Sequence, residues 1–363
     1  YMYIEGEKGS RKKNGKDAAA ARYLECMPSP ILRYLFRKED DVLLVPEKEE
    51  GKVVGVESYF PVIPLMLINR SKGIGWGWSS DAPNYHPFAI TKWIRYYIQH
   101  IKDGEINTFS APKLIPWWKG YKGNIIKKSE GSWLCHGFFD SDGDTTYVRD
   151  LPIHTSGDDY KKFLEKLVKE HVIREYNHSN LDPNRPSFIL RGCTKEFKKY
   201  AELNLETNIN TTNMVYLDEN DLPRHFSHGV THVMLEFCEN RYKKYIERKE
   251  LYLKNRRDEH KILNLKAMFI QDVLSKPPRF DIRSQDDVYI LKYMDEHGYP
   301  MTFTSVPYNT FSQKKVNSIM KELKEIEVEI EYYENVHPGD LWIKDLEELE
   351  VQLEKIYPDQ WGT

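Results

Sequence analysis

The sequence is poor in cysteine and has no long apolar run. The four cysteines are widely spaced and form no CxxC pair: Cys26, Cys135, Cys193 and Cys238. This spacing argues against a disulfide framework or a zinc site and favours a reducing compartment. No stretch approaches the ~20 apolar residues that a membrane helix needs. The chain opens on Tyr1-Met2-Tyr3 rather than on a basic and then apolar leader, so we expect neither a membrane span nor a signal peptide.

Charge of one sign is also lacking over the whole chain, but the two ends differ. The sequence has 53 Lys and Arg against 56 Asp and Glu, a net charge of -3, so the total does not indicate a nucleic-acid partner. Residues 8–22 carry six basic residues against Asp17 alone, whereas residues 321–363 carry four lysines against thirteen acidic residues. The first segment suits a phosphate backbone, and the second would repel one.

The last third of the chain has the periodicity of long paired helices. Residues 232–275 contain no proline or glycine, and the run far exceeds the usual helix length of ~11–12 residues. We predict a short helical segment over 284–297 and a second long helix over 311–335. Apolar residues of that second helix are spaced alternately by three and four: Val316, Ile319, Leu323, Ile326, Ile330 and Tyr333. This spacing is a coiled-coil seam, so we predict two long antiparallel helices with a small helical head between them.

The first two thirds mix short elements, which predicts an α+β arrangement. Apolar runs within 40–68 (VLLV and YFPVIPLMLI) are typical of strands. The run from Gly73 to Trp78 is too rich in glycine for a regular element and is predicted as a shaped loop. Helices are predicted over 30–36, 88–102, 158–170 and 195–202.

One tyrosine follows a basic loop. A phenol has a pKa near ~10 and is a poor nucleophile without help, and attack on a phosphodiester needs cations that hold the phosphate. Arg22 precedes Tyr23 directly, and its planar guanidinium suits a bidentate phosphate contact. The alternative is an ordinary tyrosine beside a basic loop, since the chain has 24 tyrosines. The pair alone does not decide between them.

The sequence around this pair resembles the active-site region of type IIA DNA topoisomerases. Gly9-Ser10-Arg11, then Gly15-Lys16-Asp17, four alanines and Arg22-Tyr23 are similar to the family pattern G-T/S-R…G-K-D-(small residues)-R-Y. In that family the tyrosine forms a 5′-phosphotyrosyl bond and the preceding arginine braces the phosphate. The resemblance implies these roles for Tyr23 and Arg22. The basic residues implied as DNA contacts are Arg11, Lys12, Lys13 and Lys16.

A second motif follows in order and in register. Residues 59–69, followed by Gly73-Ile74-Gly75-Trp76-Gly77-Trp78, are similar to the family's Y-x-P-I-I-P-x-x-L-I-N-G and E-G-I-G-T-G-W. There the isoleucine wedges between base pairs, and an apolar side chain on a glycine-flanked loop can do so physically. The resemblance therefore implies DNA contacts for Gly73, Ile74 and Gly75. The alternative for Ile74 is a core residue under a tight loop, but its separation of 51 residues from Tyr23 agrees with the family.

Further resemblance extends over almost the whole chain, from about residue 6 to 357. It includes residues 115–123, 150–153, 212–215 and 339–342. Three positions depart from the family pattern. Arg70 replaces the usual glycine, Trp76 replaces a threonine, and His154 stands where an arginine is common.

The resemblance implies a multidomain α+β fold in three segments. Residues 1–50 would be the C-terminal part of a winged-helix domain with the active-site tyrosine, residues 51–215 an α/β tower domain with the intercalating loop, and residues 216–363 the long antiparallel coiled coil with a C-terminal dimer gate. It implies a homodimer that binds double-stranded DNA, with no membrane partner, in the nucleus or, for a viral source, in the viral factory or virion. We expect Mg²⁺ and ATP to be bound by upstream domains outside this chain, no metal within it, and little activity from residues 1–363 alone.

The implied function is that of DNA topoisomerase II: a transient double-strand break, passage of a second duplex, and religation, which relaxes or decatenates DNA. Two alternatives stay open. One is a non-catalytic scaffold that binds DNA or dimerises. The other is the A-type polypeptide of a bacterial gyrase or topoisomerase IV. The alanine run before Arg22 resembles the corresponding segment of bacterial gyrases. His225, His228 and His232 have spacing that can bind zinc, but no carboxylate or cysteine completes a site, and we expect surface histidines there.

Overall fold

The computed structural model describes residues 1–105, 109–179, 186–218, 222–281, 286–305, 307 and 310–357. The strands in these residues are short and pair only in antiparallel fashion. They are β1 (Met2–Glu5), β2 (Glu25–Pro28), β3 (Pro46–Glu49), β4 (Lys52–Val56), β5 (Ser71–Gly75), β6 (Trp78–Ala82), β7 (Ile125–Ser129), β8 (Ser132–His136), β9 (Phe138–Asp142), β10 (Thr145–Asp150), β11 (Glu175–Ser179), β12 (Ser187–Arg191), β13 (Glu206–Asn210), β14 (Val215–Leu217) and β15 (Pro223–His225).

The helices are unequal in length, and the three longest are α4, α6 and α7. In chain order the helices of the described residues are α1 (Leu32–Leu35), α2 (Pro87–Lys102), α3 (Gly157–Lys169), α4 (Val230–Leu274), α5 (Asp287–His297), α6 (Gln313–Asn335) and α7 (Pro338–Ile356). The predicted helices over 88–102, 158–170, 232–275 and 311–335 are confirmed to within a few residues. The predicted helix over 284–297 is confirmed from residue 287, and residues 284 and 285 lie outside the described residues.

The chain forms two compact units. The first contains residues 1–38, 46–241 and 343–363, and the second contains residues 39–45 and 242–342. The mixture of helices and sheets confirms the predicted α+β class. The predicted division at residues 50 and 215 separates three family domains, which these two compact units do not test. It stays a prediction.

A four-stranded sheet organises the middle of the first unit. Its strand order is β11-β12-β10-β9, and a three-stranded sheet has the order β13-β8-β7. Helix α3 covers the larger sheet because one face of the helix is apolar. Tyr160, Leu164 and Leu167 are buried in one cluster with Val148 and Phe188 from the sheet. Ser156 accepts a hydrogen bond from the Asp159 amide at the start of this helix, which satisfies one of the donors that helix N-termini leave open.

The second unit pairs α4 with α6. Ala267 and Ile270 of α4 are buried with Val316, Ile319 and Leu323 of α6, the first three positions of the predicted seam. The order of the contacts along the chain shows the direction of the helices. Tyr252, early in α4, stacks on Tyr333, late in α6, at 4.0 Å between ring centroids. The predicted antiparallel pair is therefore confirmed.

A small aromatic cluster fills the head between these helices. It consists of Phe269, Phe280, Met294, Tyr299 and Phe303. Buried Asp272 accepts hydrogen bonds from the hydroxyls of Tyr299 (2.6 Å) and Tyr293 (3.2 Å). These bonds satisfy a carboxylate that would otherwise be costly to bury.

Several predictions for the first two thirds of the chain were wrong. The apolar runs 42–45 and 59–68 are not strands: the chain makes 3-10 turns over residues 38–43 and 65–67 instead. Pro61 and Pro64 lack the N–H that a ladder needs, and the run is apolar because Val62, Ile63 and Leu67 are fully buried. The glycine-rich run predicted as a loop is an antiparallel hairpin of β5 and β6. The helix predicted over 195–202 is a single 3-10 turn over residues 200–203.

Candidate functional site

Tyr23 lies at the end of a short 3-10 turn, directly before β2. The turn covers Ala21–Tyr23, and the Tyr23 amide donates to the Ala20 carbonyl at 2.9 Å. The Tyr23 side chain is 67% exposed. The guanidinium carbon of Arg22 lies 4.7 Å from the centroid of the Tyr23 ring, so a phenol and a cation are presented to solvent together. An exposed cation–π pair is weak, and both groups can therefore turn toward a ligand.

The basic loop upstream of Tyr23, residues 9–17, is closed by its own side chains. Asp17 accepts from the Ser10 amide at 2.9 Å and from the Ser10 hydroxyl at 2.7 Å. These hydrogen bonds lower the pKa of Asp17. Gly9 has φ +85°, and a Cβ there would lie 3.1 Å from the Gly15 Cα. Both the backbone conformation and the close approach therefore require glycine at position 9.

Arg11 fastens this loop to the segment between β10 and α3. Its guanidinium donates to the carbonyls of Leu151 (2.8 Å), Pro152 (3.0 Å) and Thr155 (3.0 Å). Asp150 lies 3.9 Å away, and the Arg11 side chain is only 22% exposed. Arg11 was predicted as a DNA contact. In the structure its guanidinium binds protein carbonyls, so Arg11 attaches the loop to this segment.

Three further contacts hold the same loop against this segment. The Asn14 side chain donates to the His154 carbonyl at 3.1 Å, and the Gly157 amide donates to the Lys12 carbonyl at 2.7 Å. Lys16 lies 3.6 Å from Asp159, with side chains 72% and 53% exposed respectively. Exposed pairs of this kind contribute little, so Lys16 can exchange Asp159 for a phosphate. Lys13 is exposed at the loop surface.

Ile74 projects from the hairpin of β5 and β6. The strands pair from Ser71 with Ala82 to Gly75 with Trp78, which leaves Trp76 and Gly77 as the turn. Ile74 is 88% exposed, so the alternative of a core residue is excluded in this structure. A Cβ added at Gly73 or Gly75 would meet no heavy atom within 4 Å. The isoleucine is therefore an exposed apolar side chain with free space at both neighbouring positions.

The base of the hairpin is held by a cluster of charged side chains. Arg70 donates to Asp81 at 2.9 and 3.2 Å, and Lys72 lies 3.2 Å from the same carboxylate. Burial raises the pKa of Asp81, but the hydrogen bonds from Arg70 and Lys72 outweigh burial and lower it. Arg70 also lies 3.1 Å from His154 Nδ1. Burial first, and then the Arg70 charge, lower the pKa of His154 to about 4, so a neutral ring accepts from Arg70 at pH 7.

His154 thus joins the two predicted motifs. Its ring contacts Arg70 at the hairpin base, and its carbonyl accepts from Asn14 in the tyrosine loop. The residue has φ +72°, a left-handed conformation that is uncommon outside glycine and in which asparagine, aspartate and histidine are enriched among the other residues. In the sequence, Arg70 and His154 are two separate departures from the family pattern, 84 residues apart. Only the fold shows that the two side chains meet.

No metal centre is formed by the residues that the structure describes. Within them there is no group of three or more His, Cys, Asp or Glu side chains that could hold an ion. His225 Nε2 lies 2.8 Å from the Thr212 carbonyl, and His232 lies 3.3 Å from Arg224. No helix among the described residues combines the length and the apolarity that crossing a bilayer requires.

Comparison with known proteins gives one consistent result. Residues 1–347 match the model of the family to which the A-type polypeptides of DNA gyrase and topoisomerase IV belong. The chain is 29% identical to DNA topoisomerase 2 of Plasmodium falciparum over 96% of this chain and 28% of that protein. It is 28% identical to DNA topoisomerase 2 of Invertebrate iridescent virus 6 over 95% of this chain and 30% of that protein.

The structural comparison agrees with the sequence comparison. The crystal structure of the DNA-binding, cleavage and re-ligation domain of Plasmodium falciparum topoisomerase II superposes with a TM-score of 0.77 at 27% identity. The match covers 97% of this chain and 52% of that one. This chain spans less than a third of the length of the two curated relatives named above.

Proposed function

The chain belongs to the DNA gyrase/topoisomerase IV family of A-type polypeptides, and from this premise we propose that it carries the DNA-cleaving tyrosine of a type II DNA topoisomerase. The observation that carries the proposal is the exposed Tyr23 with Arg22 over its ring. The basic loop before it is mounted on the segment 151–157. A phenol and cations are thus presented together where a polyanion can approach.

The proposed reaction is a reversible transesterification. The Tyr23 oxygen attacks a phosphodiester phosphorus, the bond from phosphorus to the 3′ oxygen breaks, and a 5′-phosphotyrosyl ester forms. The phenol loses a proton, and the departing 3′ hydroxyl gains one. Arg22 offsets the charge that develops on the phosphoryl oxygens. The ester conserves the energy of the bond it replaces, so attack by the 3′ hydroxyl reseals the strand without a further energy source.

The other site residues would bind and bend the duplex. We assign Lys12, Lys13 and Lys16 to the phosphate backbone and Ile74, with its neighbours Gly73 and Gly75, to a base step. Insertion of an apolar side chain unstacks a step and bends DNA, and the bent duplex then contacts more protein surface. Arg11 is assigned to anchoring the loop rather than to phosphate.

Double-strand cleavage needs one tyrosine for each strand, which a two-fold homodimer supplies. Dimerisation, passage of a second duplex, relaxation or decatenation, and a nuclear location belong to this proposal for the complete protein. The resemblance also implies Mg²⁺ and ATP. The described residues contain no group of His, Cys, Asp or Glu side chains that could hold a metal ion.

Covalent capture of DNA tests the proposal. The complete protein is incubated with supercoiled plasmid, Mg²⁺ and ATP, stopped with detergent, and examined for protein-linked linear DNA. We expect capture by the wild type and none by Tyr23→Phe, because the phenylalanine ring lacks the attacking oxygen. Tyr3→Phe is the matched control, since Tyr3 is a similarly exposed tyrosine (56%) in the neighbouring strand β1, and it should capture DNA as the wild type does.

Two results would contradict the proposal. Covalent capture of DNA by Tyr23→Phe would show that another residue is the nucleophile. DNA binding without capture by any of the three proteins would favour the non-catalytic scaffold.

A further inference from the structure

The most exposed large apolar side chain in the described part of the molecule is Trp76. Its side chain is fully exposed to solvent, whereas Ile74 is 88% exposed. Other tryptophans, such as Trp93 and Trp342, are almost fully buried. Burying an indole removes a large apolar area from water. Trp76 shares the hairpin of β5 and β6 with exposed Ile74 and Trp78, and a group of exposed apolar side chains of this kind marks a contact with a partner.

The conformation of the hairpin keeps the Trp76 side chain in solvent and away from the protein surface. Trp76 occupies the turn between Gly75 and Gly77. A Cβ added at either glycine would meet no heavy atom within 4 Å, and Gly77 has φ +78°. No side chain next to the indole can therefore cover it, and the positive φ keeps a side chain from being added there without strain.

The base of the hairpin is fixed, which gives the tip a defined position. The Asp81 amide donates to the Asn213 carbonyl at 2.9 Å, and the Val215 amide donates to the Ser80 hydroxyl at 3.2 Å. Asn213 also donates to Ser79 at 3.3 Å. These bonds tie β6 to the start of β14, and the Arg70–Asp81 pair ties β6 to the start of β5.

Charge favours a polyanion over an acidic or apolar protein surface at this tip. Residues 71–80 contain Lys72 and no carboxylate. The next acid along the chain, Asp81, is paired with both Arg70 and Lys72. A phosphate backbone can therefore approach the tip without like-charge repulsion.

We propose that Trp76 is a second DNA-contacting prong, which stacks its indole on a base at the step that Ile74 opens. This inference rests on the proposed function and adds a residue to it. Two residues apart, the Cα atoms of Ile74 and Trp76 lie at most ~7 Å from each other, and successive base pairs are ~3.4 Å apart. Both side chains thus reach the same distorted segment of duplex. Base–aromatic stacking tolerates any base, so Trp76 strengthens bending and affinity rather than reading a sequence.

The test measures affinity and bending of a short duplex labelled at both ends, by energy transfer, with the complete protein. We expect Trp76→Thr to bind about tenfold more weakly (~1.4 kcal/mol) and to bend the duplex less. Trp76→Phe should restore most of both, because a smaller aromatic ring still stacks. Tyr332→Thr is the matched control: Tyr332 is an exposed aromatic residue (52%) in the second unit, and its replacement should leave both measurements unchanged.

The outcomes separate this inference from the proposed function. If Trp76→Thr binds and bends as the wild type does while Ile74→Ala bends less, Trp76 lies outside the DNA contact and the inference is wrong. A change in oligomeric state of Trp76→Thr, without an effect on DNA, would assign the indole to a second copy of the chain and also overturn it. Covalent capture through Tyr23, measured on the same samples, tests the proposed function independently.

Discussion

Two basic residues of one loop have different environments, although they look alike in the sequence. Arg11 is bound to three carbonyls, whereas Lys13 is exposed. An anchor and a phosphate contact respond differently to salt, because only the phosphate contact releases a counterion on binding. The distinction can therefore be measured.

We predict that Lys13→Ala lowers the slope of log K against log salt for DNA binding by about one unit, with a small effect on covalent capture. Arg11→Ala should leave that slope unchanged and reduce covalent capture about tenfold or more, because the loop before Tyr23 loses its attachment and misplacement of a reacting group is costly. The measurement is DNA affinity at several salt concentrations, with capture on the same proteins. Equal salt slopes for the two variants would indicate that Arg11 contacts a phosphate as Lys13 does.

Local motifs in the sequence single out candidate residues but do not predict their surroundings. Arg22-Tyr23 and Ile74 could be identified from local motifs, and the structure places all three at the surface. The anchoring role of Arg11 could not be predicted, because its acceptors are main-chain carbonyls about 140 residues away. Any residue can supply a carbonyl, so no pattern of side chains reveals this contact.

At the scale of elements, the hairpin of β5 and β6 depends on a neutral histidine. His154 accepts from Arg70 only while its ring is unprotonated, and its pKa is lowered to about 4. When the hairpin opens, the pKa returns toward ~6.5. Between these values the open form binds a proton that the closed form does not. Stability is therefore complete above about pH 6.5 and falls as the pH drops toward 4.

We predict that hydrogen-exchange protection of the amides in residues 71–82 falls about tenfold between pH 7 and pH 5, after correction for intrinsic exchange. The magnitude allows for solvent screening of a partly exposed ring. His154→Asn should remove this pH dependence, because asparagine tolerates the positive φ and offers an acceptor that does not titrate. Equal pH dependence in the two proteins would show that another group controls the hairpin.

The hairpin also shows why some elements could not be predicted. Glycine at positions 73, 75 and 77 lowers strand propensity, which favoured a loop. Pairing is instead stabilised from outside, by Asn213 and Val215 and by Arg70. The long helices could be predicted, because an apolar seam of period 3.5 indicates a helix that packs against a second helix. Helices α4 and α6 form as predicted.

At the scale of the whole molecule, the second unit depends on the seam between α4 and α6. Ile319 is 1% exposed in that seam, and the next residue, Met320, is 43% exposed. We predict that Ile319→Ala lowers the free energy of unfolding of this unit by about 2 to 4 kcal/mol, as expected for a buried apolar truncation. Met320→Ala is the matched control and should change it by less than about 0.5 kcal/mol.

The measurement is the urea concentration at which a brief protease pulse begins to cleave the second unit. Because α4 and α6 contact each other over many turns, the loss should appear as a lower midpoint for the whole unit rather than as fraying of one end. Similar midpoints for Ile319→Ala and Met320→Ala would mean that the seam does not limit the stability of the unit.

The attachment of the loop 9–17 to the segment 151–157 has a consequence for how this gene can change. The position of the tyrosine is encoded in two stretches far apart in the chain, and a recombination point near residue 50 would separate them. A chimera that exchanges residues 1–50 with those of a distant relative would inherit a foreign tyrosine loop but keep the original segment 151–157 to which the loop must attach. Viable exchanges should carry both stretches together, or neither.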